Sequence, residues 1–193
     1  MDWQLRCHII ENARSLARAL GRTGPSPGGK MKVTTWVWAG PVAFVIHDAE
    51  EVATVGPWLK IHRSQLPEPV QSLMTITTRE FAFAAIVLAL GFALAAAHGV
   101  VSANQKRLSI PFLLIAGAFV ANGLTHVLQA AAFRGYTPGI LTAVCLVLPY
   151  GVGLKRSLIG SHLATRQTCL LALAAGVVLQ IPLVLMAIAA GRL

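Results

Sequence analysis

From about Val33 to Ala190 the chain alternates long apolar runs with short polar gaps. The clearest run, Phe81 to Val101, is almost entirely Ala, Leu, Val, Ile and Phe. At about 1.5 Å of rise per residue such a run covers a hydrocarbon core about 30 Å thick. Ile110 to Phe133 is equally long but holds Asn122, His126 and Gln129. Thr137 to Leu154 carries Pro138 and Pro149, and Thr168 to Ala190 carries Gln180 and Pro182. A first run, about Val33 to Val55, contains Trp36, Trp38, Pro41 and Phe44 and ends in a charged pentad. The pattern predicts an all-α integral membrane bundle of about five transmembrane helices, with Gly56 to Thr78 as an extramembrane or interfacial loop. Pro41 removes a backbone donor and can kink the first helix beside a cavity.

Residues 1–30 differ in character from the rest of the chain. Arg6, Arg14, Arg18 and Arg22 alternate with Leu5, Ile9, Ile10, Leu16 and Leu20 ahead of a Gly- and Pro-rich stretch. They read as a basic amphipathic or disordered extension to a membrane domain over 31–193, and no apolar core of signal-peptide length precedes a cleavage site.

Composition agrees. Apolar residues make up 55% of the chain and charged residues 12%, against about a quarter charged in ordinary soluble domains. The net charge of +9 comes from sixteen Lys and Arg placed mostly in the gaps between apolar runs. That placement suits orientation and contact with membrane-lipid headgroups, and it gives no ground for a nucleic-acid partner. With the N-terminus inside, eleven of these cations fall on the cytoplasmic side and five outside. Without residues 1–30 the balance is six to five. Cys7, Cys145 and Cys169 are widely spaced and read as small packing residues. Trp3, Trp36, Trp38 and Trp58 read as interfacial anchors.

Only seven acids occur, and three of them, Asp48, Glu50 and Glu51, lie within four positions. In a helix His47 shares a face with Glu50 at i,i+3 and with Glu51 at i,i+4. Asn122 and His126 are likewise i,i+4 on the third run, and Glu80 opens the second. A charge near a bilayer's centre costs about 2.5–3.5 kcal/mol even on a lenient scale. Two adjacent carboxylates there need a shared proton or a cation. His47, Glu50, Glu51, Glu80, Asn122 and His126 are therefore expected to face one interior cavity as catalytic groups. His47, Glu50 and His126 form a candidate ligand set for zinc or another divalent metal, with Glu51 as general base. Without a metal the same groups suit acid–base chemistry.

The string His47-Asp48-Ala49-Glu50-Glu51 resembles the motif of the HXXEE domain family, a group of small, mostly bacterial membrane proteins. The resemblance continues in Asn122-Gly123-Leu124-Thr125-His126, similar to an N-x-x-x-H element. It continues again in Tyr136-Thr137-Pro138-Gly139, similar to the aromatic-x-Pro-Gly stretch that opens the next helix. It implies a bacterial cytoplasmic membrane location and a joint role for His47, Glu50, Glu51, Asn122 and His126. It implies no particular reaction. The leading functional expectation is an intramembrane enzyme acting by hydrolysis, isomerisation, cyclisation or epoxide opening on a hydrophobic small molecule or lipid-like substrate. The alternative is a proton- or cation-coupled carrier, for which buried His and Glu are equally apt.

Overall fold

A computed structural model describes residues 32–68, 71 and 77–191. The expected basic extension lies outside the described residues. Among the described residues, five long helical segments make up the domain: α1 (Val33–His62), α2 (Thr78–Asn104), α3 (Ile110–Phe133), α4 (Ile140–Gly160) and α5 (Arg166–Gly191). No strand occurs among them. The helices α2, α3, α4 and the Arg166–Leu183 part of α5 are long and apolar enough to cross a membrane. Thus four of the five expected runs meet that description by length and composition. With 30 residues α1 is long enough, but its His47 and carboxylates dilute its hydropathy.

Local sequence sets the ends of these helices. Thr77 and Glu80 form a reciprocal capping box at the start of α2. Ser109 caps α3, accepting from the Phe112 N–H, with Pro111 in the first turn. At its other end α3 stops on Arg134, in the left-handed region at φ 51°. Gly56 and Pro57, expected to open a loop, instead lie inside α1, which continues to His62. Trp58 explains the continuation. Its ring stacks on His62 at 4.5 Å and meets Phe133 edge-on at 4.9 Å, and its indole N–H donates to the Tyr136 carbonyl at 2.9 Å. The end of α1 is thereby fastened to the end of α3.

Within α4, the first turn Ile140–Thr142 runs into a π-helical turn, Ala143–Val147, before regular α-helix resumes at Leu148–Gly160. The wide turn stands just ahead of Pro149, which has no N–H to give and whose ring crowds the carbonyl four residues back.

The core is aromatic. Phe44, Phe92 and Phe119 meet one another at centroid distances of 5.4–5.9 Å, and Tyr150 adds to Phe119 at 5.9 Å. The densest packing joins α3 to α5, where small residues bring two backbones together. A Cβ at Gly117 would collide with the Ala172 carbonyl, and one at Gly176 with the Gly117 backbone. By contrast, a Cβ at Gly91 would meet nothing within 4 Å.

Gly117→Ala is expected to cost about 1–3 kcal/mol through overpacking. Gly91→Ala should be neutral or stabilising by roughly 0.5–1 kcal/mol. Thermal unfolding of both variants in detergent would check this, and equal midpoints would contradict the close helix crossing.

Candidate functional site

Half-way along α1 the helix turns His47 into the bundle, where it is fully buried. Its ring stands edge-on to Phe119 at 5.8 Å and to His126 at 4.8 Å, so the site rests on the aromatic core. His126 is 5% exposed. From the next turn of α1, Glu51 reaches across and its Oε1 accepts from His126 Nε2 at 2.7 Å, while lying 3.8 Å from His47 Nε2. The amide nitrogen of Asn122 stands between the imidazoles, 3.1 Å from His47 Nε2 and 3.2 Å from His126 Nε2. His47, Glu51 and His126 each offer one ligand atom, all within 4.8 Å of one another.

Glu50 turns the other way, toward the start of α4. Its Oε2 accepts from the Thr142 backbone N–H at 2.8 Å and from the Thr142 hydroxyl at 2.6 Å. Its Oε1 accepts from the Tyr136 hydroxyl at 2.9 Å and from the Leu141 N–H at 3.3 Å. The carboxylate thus fills the N-terminus of α4, where free N–H groups and the helix dipole favour an anion. Burial pushes the Tyr136 phenol up from its ordinary value, which keeps it protonated and able to donate.

The same threonine holds His47, whose Nδ1 lies 2.7 Å from Thr142 Oγ1. A hydroxyl has one proton, and the 2.6 Å contact directs it to Glu50. Thr142 Oγ1 therefore accepts from His47 Nδ1–H. That assignment leaves the Nε2 lone pair facing Glu51 and accepting from the Asn122 amide N–H, a donor that a proton or a cation on Nε2 would displace.

Gly139 closes the site from above. Its φ is +82°, and a Cβ there would come within 3.0 Å of His126 Cε1, Glu51 Oε1 and His47 Cε1. Only glycine combines that backbone conformation with that approach. On the other side a cavity of about 200 Å³ opens, walled by Phe81, Leu88, Phe92 and Phe119, with Asp48, Glu51, Asn122 and Gln180 as its polar residues. Two polar atoms nearby are buried and unpartnered among the described residues: His126 Nδ1 and Gln180 Oε1.

The structure brings His47, Glu51, Asn122 and His126 together, and of these Glu51 and Asn122 line the cavity. Of the expected metal set, His47 and His126 stand together and Glu50 stands apart. Glu51 rather than Glu50 completes the pair of imidazoles, because the N-terminus of α4 captures Glu50. Glu80 caps α2, its Oε2 accepting from the Thr77 N–H at 2.7 Å and the Thr77 hydroxyl at 2.8 Å; the Thr-x-x-Glu spacing already carried that signal. Sequence reasoning missed Thr142 altogether and gave Tyr136 and Gly139 no role in the site, although both belong to the aromatic-x-Pro-Gly stretch that resembles the family's element.

These features define a helical bundle of integral membrane type with a His–Glu–His cluster whose Glu51 lines an apolar cavity. Residues 38–154 match the family described as protein of unknown function with HXXEE motif, and the chain belongs to that family. Neither the curated proteins nor the solved structures provide a match.

Thr142→Val keeps the shape and removes the hydroxyl. In ¹⁵N-histidine NMR the wild type should show His47 as a single Nδ1–H tautomer and the variant a mixture. A wild-type Nε2–H signal would contradict the hydrogen-bond chain.

Proposed function

We propose that the chain is a membrane-embedded enzyme whose reacting centre is His47, Glu51 and His126, with Asn122 beside them. The substrate is a hydrophobic small molecule held in the cavity, and the reaction is of the hydrolase or isomerase type. One observation carries this reading: two imidazoles and a carboxylate converge within 4.8 Å, and the carboxylate, Glu51, lines an apolar chamber together with Asn122. Apolar lining with a few convergent polar groups is the usual form of a small-molecule site.

The donor set fits zinc or another divalent metal. Two His and one carboxylate with a position left open is a catalytic zinc arrangement. The tautomer of His47 puts its Nε2 lone pair toward the cluster, where the Asn122 amide now donates to it and a metal would take that donor's place, and the Thr142–Glu50 pair supplies the outer support that ligating histidines need. A metal in that set supplies Lewis acidity toward a substrate oxygen or an activated water.

The chain's own residues contribute the rest. With no metal in the set, Glu51 takes or returns a proton at Oε1, with His126 Nε2 as its immediate donor at 2.7 Å; with a metal held there, these groups would act as its ligands instead. Asn122 Nδ2 donates toward a developing negative charge. Phe81, Phe92 and Phe119 exclude water from the reacting atoms.

The test uses purified protein in lipid nanodiscs, incubated with a total lipid extract from the expression host and followed by mass spectrometry. Wild-type protein should deplete one extract component and produce a new one. Glu51→Gln should slow this by at least about 100-fold, a typical contribution of a general acid or base. Equal conversion by Glu51→Gln would remove Glu51 from the chemistry. A component retained unchanged and moved across vesicles would favour a carrier. Elemental analysis should find about one divalent metal per wild-type chain and a deficit in His47→Ala.

A further inference from the structure

Asp48 takes no part in the cluster, yet among the described residues it is a buried acid without a hydrogen-bond or ion-pair partner. It is 9% exposed and makes no hydrogen bond or ion pair among the described residues. Native proteins seldom leave a buried carboxyl in that condition, and one inside a membrane domain points to a ligand.

Its position says what kind. Asp48 lines the cavity that reaches Glu51 and Asn122, and it also lines a second groove, between α1 and α2, walled by Val45, Val52, Ile86 and Ala89. Val45 and Ile86 are more than half exposed on that side, so the groove opens on the outer, apolar surface of the bundle. Phe44, Asp48 and Ala85 border both spaces. Asp48 therefore borders both the outer groove and the cavity that Glu51 lines.

The polar character of these two spaces is one-sided. Their ionisable lining residues are Asp48 and Glu51, with no Lys, Arg or His among the described residues that line either space. Gln180 adds a second unsatisfied acceptor, since its Nε2 is engaged with Thr125 Oγ1 at 3.2 Å and its Oε1 has no partner among the described residues. An alcohol brings one proton to these acceptors and no charge. A protonated primary amine brings three donors and the compensating positive charge.

We propose that the cavity admits a hydrophobic primary amine in its ammonium form, recognised by the Asp48 carboxylate, with its apolar body between α1 and α2. This rests on reading the cavity as the substrate chamber, and it narrows the substrate class.

Thermal stability of the full chain in nanodiscs is followed against increasing dodecylammonium, dodecanol and dodecanoate. Dodecylammonium should raise the wild-type midpoint saturably. Asp48→Asn should raise the half-saturating concentration roughly tenfold or more, the loss of one charge-assisted hydrogen bond. Asp48→Glu should keep most of the response, and Gln180→Leu should weaken it in a background where Asp48 is intact. Equal responses from wild type and Asp48→Asn, or dodecanol acting as strongly as dodecylammonium on wild type, would overturn the proposal. Loss of amine recognition in wild type with Glu51-dependent conversion intact would reject the amine alone. Amine binding without any conversion would reject the enzymatic reading alone.

Discussion

A polar side chain inside a helical bundle of this composition has no water to fall back on, so its partner has to come from the bundle itself. That constraint organises the interior from His47 outward. The imidazole is completely buried, and every polar atom that touches it belongs to another helix or to the next turn of its own. Glu50 and Glu51 are adjacent in sequence, and they meet the constraint in different ways. One is held by backbone N–H groups at a helix start, and the other by an imidazole.

Small residues and bends make those meetings possible. The Gly117 and Gly176 contact lets α3 and α5 approach closely, while the left-handed Gly139 lets the loop before α4 descend onto the imidazoles. The aromatic layer under His47 gives the cluster a rigid floor. A group of ionisable residues resting on Phe119 and covered by backbone is poorly placed to relax.

Much of this is readable in the sequence, for identifiable reasons. The helical period gives the shared face of His47 and Glu51 and that of Asn122 and His126, and the energetic cost of buried charge brings the two faces together. The period does not separate Glu50 from Glu51, since i+3 and i+4 lie on the same side of a helix. The decision comes from α4, whose N-terminus competes for one carboxylate. No property of residues 47–51 announces Thr142, which lies 95 positions from His47. The sequence pattern underestimates the length of α1 because Gly56-Pro57 is a strong local breaker. It is overruled by aromatic packing between Trp58, His62 and Phe133, a contact between segments far apart in sequence.

The wide turn at Ala143–Val147 lets α4 answer to two neighbours at once. Below it the helix is locked in rotation by the seating of Trp36 against Gly153 and Val120 against Gly151. Above it the first turn has to aim Thr142 and two N–H groups at Glu50. One regular helix advances about 100° per residue and fixes both phases together. The π turn works as a slip joint between them, so the lower half can drift in sequence to suit its packing while the upper half keeps its aim.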